Sequence, residues 1–526
     1  MKTSMILARF GVVGVLAGLG LACSEQASGP DSSSQRDASA ASTDAETTDQ
    51  MSAADSGVLE DAGFFPDADT AADTGVSQPD GSVMLDATSQ SPDALPMDAS
   101  TPPSDAAVDG GASNPDAGTS ADASASFERI TIDGQRAGAS WTAVADMNGD
   151  GKLDVVVSSF GQIGLSVPAG EVHVLLQGAD IRSWTAQPAV GAADGVKFPN
   201  LTTPVDIDGD GDLDLVVPGG FLVCTAIPFS PPCGTLGWWE AAPSGWVRHD
   251  IIAPGAELFY HHAEVVDFDG DGILDVVTVG EAKGSGFGGM DRAVTQWFKG
   301  TQGANRFESM PREVGNGLGS IPAVRDVDGD GDLDVLGAEF FVSGESFAWF
   351  ERTSSQPLQF QKHVIDDASG PAIMLAWVPN LYGDGVQRAL GTNHVNTAKN
   401  PPDPQAEAVI VLTPPADPRQ HWTKSTISSG IQSVPGSRFA PQAAPGIFAY
   451  GDLDGDGDLD VVVSGDGDPR VLWLEQLPGM QWAQHVLEAQ MPQAGGLNVV
   501  DLDGDGRAEI VLADYSGNAV YVYRRR

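Results

Sequence analysis

The residues best placed to do chemistry in this chain are aspartates, and they recur with glycine at one spacing. The unit is Asp-x-Asp/Asn-Gly-Asp-Gly-x-x-Asp followed by a β-branched run. Copies begin at Asp146, Asp206, Asp267, Asp326, Asn380, Asp452 and Asp501, and successive starts lie 60, 61, 59, 54, 72 and 49 residues apart. Side-chain oxygens at places 1, 3 and 5, a backbone carbonyl at 7 and a carboxylate at 9 can wrap a hard cation. Ca²⁺ takes about six to eight such oxygens. Glycines at places 4 and 6 allow backbone turns that a Cβ opposes. Isolated Asp-Gly pairs are ordinary turn residues; six acidic copies in one chain point to calcium. An EF-hand is excluded, because the flanks are strand-like and place 12 holds Val157, Val217 or Thr278 rather than Glu. In the fifth copy, NLYGDGVQR, Asn380, Tyr382 and Arg388 replace acids. Arg388 can supply the positive charge itself, so this loop is expected to hold no calcium.

The elements that must position these loops repeat with them. A strand is expected before each loop and another after it, as at Leu153–Val157 and Leu274–Val279. A third recurs around Val172–Leu176, Trp238–Glu240, Trp297–Lys299, Trp349–Glu351, Val409–Leu412, Leu472–Glu475 and Val520–Tyr523. A fourth begins at an aromatic: Trp184, Trp246, Phe307, Phe360, Trp422 or Trp482. Seven four-stranded units predict an all-β fold, a seven-bladed β-propeller. The last unit runs out of chain at Arg526, and Phe127–Asp133 is placed to supply its missing strand, removing the exposed sheet edges. An open β-solenoid is the competing architecture, and the displaced seventh strand favours closure.

These loops, with blade elements such as VVVSSF…PAGEVHVLLQG, resemble the FG-GAP/VCBS repeat family, which includes the integrin α-subunit propeller. The resemblance covers residues 127–526. It implies calcium loops joining the first and second strands of a blade on one face of the disc, with ligands usually meeting the opposite face. Carried over, the metal ligands are Asp146, Asn148, Asp150 and Asp154, then Asp206, Asp208, Asp210 and Asp214. The next two copies supply Asp267, Asp269, Asp271 and Asp275, then Asp326, Asp328, Asp330 and Asp334. The last two supply Asp452, Asp454, Asp456 and Asp460, then Asp501, Asp503, Asp505 and Glu509. The family includes adhesins, lectin-like modules and polysaccharide-degrading enzymes, so it specifies fold more closely than function.

No catalytic residue is assigned. H-E-x-x-H and G-x-S-x-G are absent. His249, His363 and His485 each follow the fourth-strand aromatic by three residues and read as repeat structure. His261, His262 and His394 fall near the expected opposite face or channel mouth, as packed loop residues or ligand contacts. Gly284–Gly289 satisfies G-x-G-x-x-G but has no helix to receive a phosphate. The loop aspartates could mimic a glycosidase pair, but bound calcium would occupy them. Trp238-Trp239 doubles the repeat tryptophan, so one ring must face the other side of the sheet. Cys224 and Cys233 flank TAIPFSPP; in an exported protein a disulfide closing this loop is expected, with two free thiols as the alternative.

The first 126 residues differ in kind. Residues 1–23 carry Lys2 and Arg9, then an apolar run ending at Ala22-Cys23, and read as a secretory signal. The cysteine at that boundary resembles the lipobox of bacterial lipoproteins, which implies lipidation of Cys23. Residues 24–126 hold 20 acids, one base and few large apolar residues, and are expected to be a disordered tether spanning roughly 55 Å. The chain of 526 residues has a net charge of −46, which argues against a nucleic-acid partner. Of its 73 acids, 27 lie in the seven loops, so the acidity divides mainly between a solvated stalk and a metal device. The whole reads as a calcium-binding propeller, lipid-anchored in a bacterial cell envelope and exposed at the outer membrane or surface. It would bind an extracellular protein or glycan. The alternatives are a polysaccharide lyase or hydrolase using the face opposite the loops, and a structural envelope protein.

Overall fold

The computed structural model describes residues 121–526, apart from 163–166, 222–230, 285–290, 435–442 and 465. The expected signal segment, Cys23, the expected tether to residue 120, Cys224 and most of the Gly284–Gly289 loop lie outside the described residues.

The described residues form seven sheets, each built on four antiparallel strands, arranged as a propeller. In blade one the strands are Ala139–Ala145, Asp154–Ser159, Glu171–Gln177 and Trp184–Val190. The register repeats around the ring. The last residue of each innermost strand pairs with loop place 9 at the start of the second strand: Ala145 with Asp154, Val205 with Asp214, Val266 with Asp275, Arg325 with Asp334. Val378 with Arg388, Gly451 with Asp460 and Val500 with Glu509 complete the set. Second strands such as Asp214–Gly219 and Asp275–Ala282 are buried at every residue. They read as continuous β-branched runs because neighbouring blades cover both faces.

The core sits between blades. Val157, Val511 and Val520 join blades seven and one, and Leu215, Val174 and Trp239 join one and two. Trp238 packs on the other side of its sheet, against Val276 and Phe298 of blade three. The doubled tryptophan thus fills two interfaces at once, and both rings are 1% exposed. Trp238, Trp349 and Trp473 each face a histidine of the outer strand, with ring centroids 4.2, 5.0 and 4.6 Å from His249, His363 and His485. Each of these imidazoles is also bonded to a third-strand carboxylate: Glu240 at 2.8 Å, Glu351 at 2.6 Å and Glu475 at 2.6 Å.

The ring closes as the sequence predicts. Phe127–Asp133 pairs antiparallel with Ala519–Arg525 and becomes the outer strand of blade seven. Phe127 is buried and meets Trp473 of blade six edge-on at 5.7 Å. Two local differences appear. Strand structure begins earlier, at Ala121–Asp122, which pairs in parallel with His485 and Val486 and extends blade six to five strands. In blade three, Phe307 is not in the outer strand: it makes an isolated bridge to Gly300, and the strand is Arg312–Asn316. The cause is the spacing of Thr301–Pro311, which turns through Arg306 at φ 57° before the chain can pair again.

Buried carboxylates tie the blades at the face opposite the loops. Glu281 in blade three accepts the N–H of Ser320 in blade four at 3.1 Å, and Glu339 accepts that of Leu318 at 2.9 Å. Gly317, Leu318 and Ser320, between them, all have positive φ. Lys362 neutralises Glu339 at 2.6 Å. Glu281 has no such cation; its second oxygen lies 3.4 Å from His261 Nε2. Burial pushes Glu281 up to about 8, with the charge of Glu339 adding to the rise, and pushes His261 down to about 4.

Two predictions follow from this architecture. Phe127→Ala should lower unfolding stability by about 3–5 kcal/mol, the usual cost of emptying a buried aromatic site, measured by urea denaturation. An unchanged midpoint would refute the role of the closing strand. For Glu281 the folded-state pKa exceeds the unfolded one, so stability is complete below about pH 4.5 and is lost as pH rises toward 8. Glu281→Gln should therefore be more stable than the parent at about pH 8, by about 1–3 kcal/mol, with little difference at about pH 5. Parallel stability–pH curves would contradict this.

Candidate metal centres

Each loop leaves the end of an innermost strand and enters the second strand of the same blade, so all seven stand on one face. Their paired glycines have φ between 67° at Gly383 and 98° at Gly211. A Cβ at Gly149, Gly209 or Gly270 would meet nothing within 4 Å, so the left-handed backbone, not space, selects glycine.

The first aspartate organises the turn. In the second loop Asp206 accepts the N–H groups of Gly209 at 2.7 Å and Gly211 at 3.0 Å, while Asp210 accepts that of Asp212 at 2.9 Å. Asp326, Asp452 and Asp501 repeat the pattern. These bonds turn the carboxylates toward one point. Ligand atoms lie within 4.8 Å of one another in Asp206/Asp208/Asp210, Asp267/Asp269/Asp271, Asp452/Asp454/Asp456 and Asp501/Asp503/Asp505. In the fourth loop the convergent group is Asp326, Asp328 and Asp334. The first loop has an amide at its centre: Asn148 stands between Asp146 and Asp150 and accepts the N–H of Asp150 at 2.9 Å.

Place 9 has a different station. Asp154, Asp214, Asp275, Asp334, Asp460 and Glu509 are all buried. One oxygen accepts the N–H of loop place 2, as Asp214 does from Ile207 at 3.0 Å; the other accepts an N–H of the third strand, from Ala241 at 2.8 Å. Asp154, Asp334 and Asp460 do the same, and Asp275 takes its second N–H from Gly300, just past the third strand, at 2.6 Å. Burial, with nearby loop carboxylates adding, raises Asp214 and Asp275 to about 6 and Asp334, Asp460 and Glu509 to about 7. Among the described residues only Asp334 of these six belongs to a convergent carboxylate group.

The donor set suits a hard divalent cation: clustered carboxylates, no thiolate or imidazole. Asp269 Oδ1 is buried without a hydrogen-bond partner among the described residues, and a cation would satisfy it. Protein cations already lean on the same oxygens. Lys299 contacts Asp269 and Asp271, Arg419 reaches Asp328 at 2.6 Å, and Arg524 reaches Asp503 and Asp505 at 2.8 Å. The fifth loop carries this furthest. Arg388 from place 9 bonds both oxygens of Asp384 at 2.7 Å and lies over the Tyr382 ring at 4.7 Å. The guanidinium holds Asp384 down at about 2. The backbone turn survives, since Asn380 still accepts the N–H of Gly385 at 2.6 Å.

On the opposite face, a vestibule of ≈ 160 Å³ is lined by Phe160, Phe221, His261, Asp466 and Tyr515, among others. His262 lies deeper, along the axis. His394 is bonded to the Pro445 carbonyl at 2.9 Å and stands 3.6 Å from Asp466. Cys233 is disulfide-bonded beside this face, packed with Phe160 and Phe198; its expected partner Cys224 lies outside the described residues. Sequence spacing does not single out Glu264 and Arg325, which line the axial cavity. The signal available was their polarity in an otherwise apolar or small column of aligned inner-strand residues.

Residues 452–525, the sixth and seventh loops with their flanking strands, match the family model described as FG-GAP-like repeat. No curated protein matches the chain. Among solved structures, the chain is similar to one described as the crystal structure of BBS1N in complex with ARL6DN, soaked with mercury. That likeness has 10% identity over 76% of this chain and 96% of the other, with a TM-score of 0.41. Residues 452–525 are thus similar to an FG-GAP-like repeat, and the described residues carry that segment on a closed ring of seven β-propeller blades.

Proposed function

We propose that this protein is a calcium-stabilised binding propeller held at a bacterial cell surface by a lipidated Cys23 and the acidic tether. It would present the face opposite the loops to an extracellular protein or glycan. The observation that carries the metal reading is the convergence of three carboxylates in each of five loops. Like charges this close repel one another, and a divalent cation turns that repulsion into attraction. The ligands would be the acids at places 1, 3 and 5 with the buried acid at place 9, and Asp146, Asn148, Asp150 and Asp154 in the first loop. Calcium supplies charge and cross-linking there; the residues themselves turn the loop and tie it to the third strand. No helix among the described residues is long and apolar enough to cross a membrane. Attachment in this reading comes from the amino-terminal lipid.

The test is calcium removal. Each millimolar-range site adds about 1–2 kcal/mol at tenfold excess of free ion, so EDTA should lower the melting temperature by many degrees and Ca²⁺ should restore it. Equilibrium dialysis with metal analysis should count about six Ca²⁺, one per acidic loop. Arg388→Asp, which restores an acid at the exceptional loop, should raise that count, while Asp206→Asn should lower it. An unchanged melting curve in EDTA would sink the metal reading.

A further inference from the structure

Down the propeller axis runs a cavity of ≈ 210 Å³ lined by the innermost strands. Trp141, Ile321 and Ile447 line both this cavity and the vestibule, and so stand between them. The shared register places the inner-strand residues in layers. Two residues before the end of each strand, the partners of Val156, Leu336, Leu390 and Val462 are alanines, and the partner of Val216 is Thr203. The remaining two blades put Glu264 and Asn498 at that level. Four of these small side chains, Thr203, Ala323, Ala376 and Ala449, line the space together with Glu264 and Asn498, while Ala143 packs into the core between blades one and two.

The polar groups here are under-partnered. His262 is 2% exposed, and its Nδ1 has no hydrogen-bond partner; Asn498 Oδ1 is likewise buried and unpartnered. Glu264 has only His262 Nε2, at 3.7 Å, as an ionic neighbour among the described residues. Arg325 lines the same cavity from the adjacent blade and donates to the Val324 carbonyl at 2.6 Å. It faces no carboxylate within ion-pair distance among the described residues. Buried polar groups ordinarily find partners, and exceptions call for an occupant. Water can serve some of them, but an anion and a cation separated in one cavity define a more specific complement.

We propose that the axial cavity binds a small zwitterion, an α-amino acid with an apolar side chain. Its ammonium group would sit between Glu264 and Asn498 and its carboxylate on Arg325. Glu264 and Arg325 lie two strand residues apart, about 6.5–7 Å along the axis, on neighbouring blades. An α-amino acid hydrogen-bonded at both ends spans that gap. Its side chain would lie against Trp141, Met374 and Ile447, the apolar wall toward the vestibule. The imidazole of His262 stands 3.7 Å from the Glu264 carboxylate. The small residues of the layer are what leave room for a molecule of this size. Entry would be through the vestibule; at its other end the cavity reaches Arg325, which directly precedes Asp326 of the fourth loop, so the site borders that loop.

The experiment is isothermal titration of the full chain with L-leucine, with calcium in every buffer so that failure of the metal reading is not mistaken for failure here. Saturable binding is expected. Leucinamide, which lacks the carboxylate, and isocaproate, which lacks the amine, should each bind at least about tenfold more weakly. Glu264→Gln and Arg325→Met should each weaken L-leucine by at least about tenfold. Melting curves check that these variants fold. Ala376→Leu, which fills the cavity without removing a charge, should abolish binding and serves if either charge variant unfolds. Absence of heat and of thermal stabilisation by L-leucine overturns the proposal, as does binding that survives all three substitutions.

Discussion

The arrangement depends on a buried carboxylate at the ninth place of the loop in six of the seven blades. At Asp154, Asp214, Asp334 and Asp460 it accepts one N–H from the loop and one from the third strand, so it clamps a turn to a sheet at the point where the innermost strand ends. Burying such a group is costly unless it is neutral or satisfied by donors and charge. The elevated proton affinities of Asp334, Asp460 and Glu509 express that cost. The same clamp sets the register, because the innermost strand always ends opposite this residue. Layers of side chains along the axis follow from it, and so does the position of every loop on one face. Where Arg388 replaces the acid, the strand pairing holds, but the clamp becomes an ion pair within the loop.

Blade-to-blade contact supplies the rest of the cohesion. Second strands are covered on both faces, and large aromatics close each interface. The repeated Trp–His–Glu relay links the third and outer strands at three blades. Where Phe127 returns to seal the ring, it does so through Trp473, the tryptophan of one of those relays. Closure and repeat packing are therefore one interaction, not two.

Much of the fold was legible in the sequence because its strongest constraints are local. Positive φ at places 4 and 6 admits little but glycine, and it leaves a visible pair in all seven copies. Third strands are likewise marked by tryptophan or β-branched runs. Phe307 misled because aromaticity marks burial, and burial beside Gly300 satisfies it without a strand. The parallel pairing of Ala121–Asp122 left no sign, since two residues of Asp/Ala-rich chain carry no period. Trp238-Trp239 was legible as a departure, and the structure supplied its reason: the sheet has a buried interface on each side. The axial cavity was not legible from any one repeat. It appears only when Thr203, Glu264, Ala323 and Asn498 are aligned by register, and register is a property of pairing rather than of spacing.

The two faces divide the electrostatic labour. The loop face concentrates carboxylates and draws Lys299, Arg419, Arg524 and Arg525 onto them. Those bases are spent on loop acids and contribute little net positive field elsewhere. On the opposite face Lys362 neutralises Glu339 and His394 stands near Asp466, while Glu281 has only His261 as an ionic neighbour among the described residues. Glu264 and Arg325 depart from this economy, because neither is neutralised by the other although both face the same axis. A ring built by repeating one unit tends toward equal residues at equal levels. Two opposite charges placed in adjacent copies of that unit, among small neighbours, break the symmetry where a seven-fold scaffold must become asymmetric to recognise an asymmetric ligand.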